Sequence, residues 1–512
     1  MGTFFVENFG CRATQADGAA MERDLLEKGL TRAPATAAAE LVVLNTCTVT
    51  TSADHDARAT IRRIHRENPG ARIIVTGCYA QRAPDELASL PGVSLVVGNS
   101  HQSQLAHIAV EHAAQLAQAE AGSPAGGFVP LATLHATAQD SAQTFARDAP
   151  PFDDEKAPAE IIVGDIFAHT ELTAAPVFEA DTSARIDRQA GHERGGDGDA
   201  RGFAGAGASE KTRPNLKVQD GCNNRCSFCI IPFVRGKSRS LKMEQVLASV
   251  RQLVASGYRE IVLSGINLGR WGRDFPPLLP GDSTPQRARF VELLRAILAE
   301  TMAEKIRISS VEPMDWSDEL IDLAASSPRI CKHAHVPLQS GSDRVLRQMH
   351  RRYRPWHYAD RILKIRRAMP DAAIGADVMV GFPGETDDDF EQTRALIESL
   401  PFTYLHVFTY SSRPGTPSAA MPSQVRGDVA HDRNRFLREL AAQKKRQFQE
   451  GFVGRTLEAI TLTYVDQQER FTEALTGNYQ KLWVEGVHEA NQAILARIVG
   501  IEADALAGRI ES

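Results

Sequence analysis

Short apolar runs alternate with helical segments through the first 110 residues. Four runs have the length and the Val, Ile and Leu content of buried strands: 3–8, 41–45, 72–76 and 94–97. Helical segments follow the first three runs, near residues 15–28, 53–67 and 84–89. This alternation predicts an α/β domain over 1–110, with an open parallel sheet covered by helices.

The alternation stops between residues 111 and 209. This stretch is rich in Ala, Gly, Asp and Gln and contains the run HERGGDGDARGFAGAGASE. Its composition favours a low-complexity insertion or linker. A poorly patterned helical extension is the alternative.

A second α/β pattern covers residues 210–447. Six strands are predicted there: 216–220, 260–264, 305–309, 333–337, 374–380 and 404–409. Helical segments such as LKMEQVLASVRQLVAS separate them, and a charged helix over 431–450 ends the domain. Six strand–helix units are too few for a complete eight-stranded barrel and predict a partial, open (βα)6 barrel.

Residues 448–512 have a β-rich pattern, with short runs such as LEAITLTYV separated by turns at Gly477–Asn478 and near Gly486. A small β-barrel is the simplest fold for this length and pattern. Barrels of this size often bind single-stranded nucleic acid.

Composition narrows the functional classes. The formal net charge of −6 argues against a protein that condenses nucleic acid, so any RNA contact must use local basic patches. The N-terminus lacks the features of a secretory signal, and no run of about 18 apolar residues predicts a membrane span. Seven cysteines are too few for a disulfide scaffold and suit metal ligation in a reducing cytoplasm.

Six of the seven cysteines form two groups of three. Cys222, Cys226 and Cys229 form C-x-x-x-C-x-x-C directly after the first barrel strand. The other three (Cys11, Cys47 and Cys78) each follow a predicted N-terminal strand. Carboxyl ends of parallel strands meet at one edge, so the fold itself gathers these distant thiols.

Thiolates are the ligands of iron–sulfur clusters, and three of them leave one iron of a four-iron cluster open. A zinc site would more often use paired C-x-x-C elements. A single cysteine after a strand is more often only a small buried residue. Cys331 lies outside both groups and is expected to be a buried structural thiol.

The motif C-x-x-x-C-x-x-C, with Phe228 between its last two thiols, resembles that of the radical S-adenosylmethionine (SAM) enzymes. The resemblance implies that Cys222, Cys226 and Cys229 hold a [4Fe–4S] cluster whose open iron binds SAM. The contexts FGCRATQAD, NTCTVT and TGCYAQ are similar to the N-terminal domain of the methylthiotransferases. That similarity implies a second [4Fe–4S] cluster on Cys11, Cys47 and Cys78, and an RNA-binding TRAM domain at the C-terminus.

Within this family, NFGCRATQAD, RGKSRS, INLGR and MHRRY are similar to the bacterial enzymes that act on N6-threonylcarbamoyladenosine in tRNA. The resemblance implies that the substrate is an adenosine beside the anticodon, in the anticodon loop of tRNA. It implies an electron donor such as flavodoxin or ferredoxin. The isopentenyladenosine branch, with a YGCQMN-like start, and the ribosomal protein S12 branch, with LGCPKN, are the alternatives within the family. A non-enzymatic iron–sulfur sensor or RNA-binding protein is the alternative outside it.

Further residues are assigned to the cofactor by their places after barrel strands. They are Phe228, Ser264, Gly265, Gln339, Ser340 and Gly381, with Glu312 as a supporting group for SAM or substrate. In the radical SAM superfamily, the position of Ser264–Gly265 commonly receives the SAM amino group. Glycine at 381 would allow a nucleoside to approach the backbone closely. The competing interpretation of each is a plain turn, a loop or, for Glu312, an ion pair.

The run from Arg351 through Arg352 and Tyr353 to Arg354 mixes positive charge with an aromatic ring, which suits phosphate contact and base stacking. Tyr479 and Lys481 in the terminal barrel are further candidates for RNA contact. A solvated charged face is the alternative for the arginine run.

We expect Cys226→Ala to abolish cleavage of SAM to 5′-deoxyadenosine, because one ligand of the SAM-binding cluster is lost. Cys47→Ala should spare much of that cleavage and end methylthiolation. Cys331→Ala is the control and should leave both unchanged. Chromatography of 5′-deoxyadenosine and of the modified product measures the two steps separately, and methylthiolation retained by Cys47→Ala would contradict the assignment of the second cluster.

Overall fold

A computed structural model of the 512-residue chain describes residues 2–122, 158–168, 172, 212–276, 288–466 and 470–511. The described chain forms an N-terminal sheet, a central partial barrel and a C-terminal closed barrel.

The N-terminal sheet has six parallel strands in the order β2-β1-β3-β4-β5-β6. Their bounds are β1 Thr3–Asn8, β2 Thr31–Arg32, β3 Leu41–Thr46, β4 Arg72–Gly77, β5 Val93–Gly98 and β6 Glu160–Ile162. The helices are Arg12–Glu27, Thr51–Glu67, Cys78–Arg82, Pro84–Ala88 and Leu105–Gly122. All six residues of β3 are buried, as expected for a strand with a helix layer on each face. The predicted parallel sheet is confirmed.

The predicted insertion begins too early. The helix Leu105–Gly122 continues past residue 110, and β6 extends the sheet by pairing with β5. β6 is only three residues long, with a single half-buried position, so it carries no pattern that sequence periodicity detects. Most of the predicted insertion lies outside the described residues.

The central domain contains six parallel strands in two sheets, ordered β10-β9-β7-β8 and β11-β12-β13, with β8 antiparallel. A parallel bridge between Ser310 and His335 joins the sheets. The strand bounds are β7 Asn215–Asp220, β8 Arg239–Ser240, β9 Glu260–Gly265, β10 Lys305–Ile308, β11 His333–His335, β12 Ala373–Val380 and β13 Tyr404–Thr409. The partial barrel is therefore confirmed, with strand bounds within two residues of prediction.

Helices cover the outside of the central barrel. They are Ile231–Arg235, Met243–Ala255, Phe290–Glu300, Asp318–Ser326, Asp343–Gln348, Pro355–Ala368, Asp387–Ser399 and Gly427–Glu450. The last of these continues into the C-terminal barrel.

The C-terminal barrel is closed by five strands in the order β14-β15-β16-β18-β17. The bounds are β14 Thr456–Val465, β15 Phe471–Thr476, β16 Lys481–Glu485, β17 Ala493–Glu502 and β18 Ala505–Ile510. Alternating side chains point inward, such as Leu482 and Val484 on β16, and form a small core. The predicted small β-barrel is confirmed.

A buried ion pair fastens this barrel to the central domain. Arg307 is fully buried, and its Nε donates to Glu260 at 2.6 Å. Its Nη2 also donates to the Thr476 carbonyl oxygen of the C-terminal barrel at 3.1 Å. Burial raises the pKa of Glu260, but the charges and hydrogen bonds of Arg307 and Arg213 together outweigh burial and lower the pKa to about 2. Cys331 lies beside this pair and is buried, as expected.

In the described part of the chain, we find no helix with the length and apolarity that crossing a bilayer requires.

We expect Arg307→Met to destabilise the protein by about 3 kcal/mol, because buried Glu260 would lose its main partner and keep only the longer contact with Arg213, at 3.4 Å. The melting temperature should fall by roughly 6–12 °C. Arg251→Met is the control: the Arg251–Glu300 pair is exposed, and such pairs contribute about 0–1 kcal/mol. Equal melting temperatures for the two variants would contradict this role of Arg307.

Candidate functional site

Cys11, Cys47 and Cys78 lie at the carboxyl ends of three adjacent strands, β1, β3 and β4. Cys47 and Cys78 are buried, Cys11 is exposed, and all three thiols are free. Burial and then the nearby thiols of Cys11 and Cys78 raise the pKa of Cys47 to about 12. Three neighbouring thiols, two of them buried, would repel one another as thiolates, and a cation or an iron–sulfur cluster would offset that repulsion.

Gly10 leaves room beside these thiols. Its φ is +103°, and an added Cβ would lie 2.5 Å from Cys47 Cβ and 2.9 Å from Cys47 Sγ. Only glycine fits both the backbone conformation and the approach. The donor set and the space therefore fit a cluster held by three cysteines.

The second cysteine group lies in the loop after β7. Ser227 anchors this loop, because its Oγ donates to the Gln348 carbonyl oxygen at 2.7 Å and its N–H donates to that of Met349 at 3.1 Å. Phe228 packs into the apolar cluster that contains Met349 and Phe382, and so holds the loop in place. Three thiols on one anchored loop also fit a cluster with an open ligand position.

Polar groups surround Cys222 and Cys226. The Asn224 N–H and Asn267 Nδ2 point to Cys222 Sγ at 3.4 and 3.7 Å. Arg351 Nη1 donates to Cys226 Sγ at 3.3 Å. Such donors stabilise sulfur ligands that carry negative charge. Asn267 was missed by the sequence interpretation, although it belongs to the INLGR string.

Arg351 is not available for an RNA phosphate. It is buried, and its Nη2 pairs with Glu312 at 2.5 Å. Tyr353 is also buried, with its hydroxyl donating to the Leu338 carbonyl oxygen at 2.7 Å, so it cannot stack on a base. The expected RNA contact is therefore wrong for both residues, whose positions instead support the Cys226 loop.

Arg352 and Arg354 differ from Arg351. Arg352 is exposed, and Arg354 is half-buried and pairs with Asp343 at 3.2 Å. A cleft beside Cys226 is lined by Arg225, Arg270 and Arg352, among other residues. A local basic rim therefore exists beside the cysteine loop, despite the net negative charge of the chain.

Two of the candidate cofactor residues have a buried polar atom without a partner among the described residues: Ser264 Oγ and Gln339 Oε1. Gln339 also has a φ of +65°, a conformation that is uncommon outside glycine. Other buried polar atoms of the described residues also have no partner, but these two lie at the carboxyl ends of barrel strands and are available to a polar molecule bound there.

The other three candidate cofactor positions have structural explanations. Gly265 lies against Gln219, whose Oε1 is 2.9 Å from an added Cβ, and Ser340 is buried against Thr393. Gly381 has a φ of +76°, and an added Cβ would lie 2.6 Å from Ala430 Cβ. The turn and this helix contact account for Gly381, so nothing in its surroundings favours a nucleoside.

The two RNA candidates of the C-terminal barrel have different surroundings. Tyr479 lies at the domain junction, with its ring 4.6 Å from His333 and 5.2 Å from the Arg307 guanidinium. Its expected RNA contact does not fit this interdomain packing. Lys481 Nζ lies 4.3 Å from the ring centre of Trp483, which is itself 5.7 Å from exposed Tyr464. Lys481 also pairs with Glu473 at 3.2 Å, so it belongs to an aromatic surface that carries one ion pair.

The inner strands carry a polar group that the sequence interpretation missed. Asp377 lies 3.2 Å from His335 Nε2 and 3.3 Å from His406 Nδ1. Burial raises the pKa of Asp377, but the two histidines outweigh this and hold its pKa well below the usual range. Polar residues at inward strand positions were the available signal, because the interior of a complete barrel is packed mainly with branched apolar side chains.

Residues that follow the second cysteine group pack against the first cysteine group. Cys78 packs against Ile230, the residue after Cys229, and against Val234. Asn99 joins the same elements: its Nδ2 donates to the Val234 carbonyl oxygen at 2.7 Å and points to Cys78 Sγ at 3.6 Å. The segment that follows the second group thus contacts the first group directly.

Comparisons with known proteins agree with this architecture. Residues 216–397 match the radical SAM superfamily, and residues 3–98 match the uncharacterized protein family UPF0004. The chain is 32% identical to the threonylcarbamoyladenosine tRNA methylthiotransferase MtaB of Bacillus subtilis, over 96% of this chain and 92% of that protein. It is 31% identical to the tRNA-2-methylthio-N(6)-dimethylallyladenosine synthase of Saccharopolyspora erythraea, over 93% of this chain and 81% of that protein.

A solved structure shows a similar fold. The radical S-adenosylmethionine methyltransferase TsrM of Kitasatospora setae, solved with cobalamin and a [4Fe–4S] cluster, matches with a TM-score of 0.50 at 16% identity. The match covers 81% of this chain and 76% of that chain.

We expect Gly10→Ala to impair loading of the Cys11, Cys47 and Cys78 site, because the new Cβ would displace Cys47. Iron bound per reconstituted chain should fall by about half, since one of two four-iron clusters would be lost. Gly29→Ala is the matched control: its φ is +85°, but nothing lies within 4 Å of the added Cβ. Equal iron content in both variants would show that the close approach of Gly10 is not required.

Proposed function

Because the chain belongs to the radical SAM methylthiotransferases, whose cofactors are [4Fe–4S] clusters and SAM, we propose that it acts on N6-threonylcarbamoyladenosine in tRNA. The product is the 2-methylthio derivative of this nucleoside, located beside the anticodon. Cys222, Cys226 and Cys229 would hold the SAM-binding cluster. Cys11, Cys47 and Cys78 would hold the second cluster.

The choice of nucleoside depends on local sequence and not on overall identity. Identity to the B. subtilis and S. erythraea relatives is 32% and 31%, although the two names specify different nucleosides. The strings NFGCRATQAD, RGKSRS, INLGR and MHRRY resemble the threonylcarbamoyladenosine branch, and each contributes a side chain near a cysteine group. These side chains are Thr14 beside Cys11, Arg235 beside Thr14, Asn267 beside Cys222 and Arg351 beside Cys226.

All four strings that resemble the threonylcarbamoyladenosine branch thus have a side chain near the thiols. This observation supports the proposed nucleoside. Side chains that contact cysteine ligands influence how clusters and substrate are placed. The strings are therefore located where a difference in substrate between branches would act.

The clusters and SAM, when bound, would supply the radical, the sulfur and the methyl group that replacement of an unreactive C–H bond by a methylthio group requires. The side chains of the protein bind SAM and orient the thiols. Ser264 Oγ and Gln339 Oε1 offer unpaired polar atoms to SAM, and Asn267 and Arg351 orient the thiols of the cysteine loop.

The RNA is bound by positive charge and aromatic surface. Arg225, Arg270 and Arg352 would contact phosphates beside the cysteine loop, and half-buried Arg354 would support this rim. Lys481, Trp483 and Tyr464 would contact RNA on the C-terminal barrel, which fits a TRAM domain. The bases of an anticodon loop are unpaired and can turn outward into a cavity. A flavodoxin or ferredoxin would deliver the electron, and the tRNA substrate places the reaction in the cytoplasm.

Two alternatives make different predictions. An isopentenyladenosine enzyme would modify a different set of tRNAs, and an S12-type enzyme would modify a ribosomal protein. The exposed aromatic residues and Lys481 of the C-terminal barrel suit RNA contact and so favour tRNA over a protein side chain as the substrate.

We expect deletion of the gene to remove 2-methylthio-N6-threonylcarbamoyladenosine from digested tRNA, with its unmethylthiolated precursor accumulating. Liquid chromatography and mass spectrometry of the nucleosides measure both. Complementation with the wild-type gene should restore the product, while Cys47→Ala should not, because it removes one of the three thiols of the second cluster site. An unchanged level of this nucleoside, with loss of 2-methylthio-isopentenyladenosine or of methylthiolated S12, would assign the enzyme to another branch.

A further inference from the structure

A buried charge network joins the N-terminal sheet to the first strand of the barrel. Asp17 lies on the helix after Cys11, Lys217 and Asp220 lie on β7, and Arg235 follows the cysteine loop. Lys217 Nζ contacts Asp17 and lies 2.9 Å from Asp220. Arg235 pairs with Asp17 at 2.9 Å and with Asp220 at 3.1 Å. All four side chains are almost completely buried.

Arg235 extends this network toward the thiols. Its Nη2 lies 3.5 Å from Thr14 Oγ1, which in turn lies 3.5 Å from Cys11 Sγ. Burial lowers the pKa of Arg235, but Asp220 and then the Cys78 thiol raise it well above its ordinary value. The guanidinium is therefore permanently charged beside the first cysteine group.

One donor of Arg235 is unused. Its Nη atoms are occupied by Asp17, Asp220 and Thr14, whereas the buried Nε has no hydrogen-bond partner among the described residues. A buried N–H without an acceptor is costly, by about 1–3 kcal/mol. An acceptor supplied by a bound group would remove this cost.

The network also carries excess positive charge. Arg239 adds a third cation, with its Nη2 3.8 Å from Asp220. Three buried cations (Lys217, Arg235 and Arg239) then face two buried carboxylates, Asp17 and Asp220, and Arg239 also lies in the field of the exposed Asp274 carboxylate. Within the buried part of the network, one positive charge is left near Cys11, Cys47 and Cys78, whose thiolates are anionic when they hold a cluster.

We propose that Arg235, a residue of the radical SAM domain, is a positioning residue for the cluster on Cys11, Cys47 and Cys78 in the other domain. Its Nε–H donates to a sulfur of that cluster, and its charge favours the reduced, more negative state. The inference rests on the proposed function, because it requires a cluster at this site. Hydrogen bonds to sulfur and nearby positive charge both raise the reduction potential of iron–sulfur clusters.

The test measures the midpoint potential of this cluster by redox titration monitored by electron paramagnetic resonance. A Cys222→Ala, Cys226→Ala, Cys229→Ala background of the full chain keeps only the cluster of interest. Arg235→Lys keeps the charge and removes the Nε donor, so the potential should become more negative. The rate of iron loss to a chelator should rise by about tenfold, as for other residues that support metal ligands.

Asp17→Asn tests the effect of charge, with an expected shift of the potential in the opposite direction. It removes one carboxylate from the network with little change of shape, so the potential should become more positive. Arg239→Met removes one cation, together with the hydrogen bond from Arg239 to the Arg235 carbonyl oxygen, and should make the potential more negative. A purely structural role of the network would not produce shifts of opposite sign. Asp17→Asn and Arg239→Met also test the inference if Arg235→Lys fails to fold.

Arg251→Lys, in an exposed pair with Glu300, is the control and should change neither quantity. The inference is overturned if Arg235→Lys holds a full cluster with wild-type potential and chelator resistance, or if Asp17→Asn and Arg239→Met shift the potential in the same direction. A failure of the proposed function has a different signature. In that case, replacing Cys11, Cys47 and Cys78 in the wild-type background would leave the iron content unchanged.

Discussion

The buried ion network of Asp17, Lys217, Arg235 and Asp220 is the interaction on which the arrangement of both cysteine groups depends. Moving single charges out of water is costly, and the network is stable only when all its partners are in place. Two partners come from β7, one from the segment after the cysteine loop and one from the N-terminal domain. The carboxyl edge of the N-terminal sheet is thereby held against the start of the barrel.

The thiols of the two cysteine groups are brought together in two different ways, and the ion network then holds the two groups near each other. Cys222, Cys226 and Cys229 are near each other in sequence and need only an anchored loop, which Ser227 and Phe228 provide. Cys11, Cys47 and Cys78 are distant in sequence and are gathered by strand order. Neither the anchored loop nor the strand order brings the two cysteine groups together. The network does so, and Ile230 and Val234 fill the space between them with apolar contact.

The sequence predicted the features that depend on the periodicity of apolar residues and on the spacing of the cysteines. Strand β13 and the strand before Cys11 have the predicted bounds, because each is a clear run of strand length. Strand β6 was missed because three residues carry no period. The roles of Arg351 and Tyr479 were misjudged for another reason: an arginine or tyrosine has the same appearance in a sequence whether it faces solvent or a buried partner. Burial of these side chains is decided by packing between elements that are distant along the chain.

The junction of Arg307 with the C-terminal barrel has a geometric consequence. Contacts to that barrel come from the amino ends of the central strands, at Arg259, Lys305 and Asp371, whereas the cysteine loop follows a carboxyl end. A six-residue strand is about 20 Å long. An RNA that contacted both places would have to extend along the side of the barrel for that distance. A short oligonucleotide that contains the correct base would reach only one of these two places. Recognition would then depend on the size of the RNA as well as on its nucleoside.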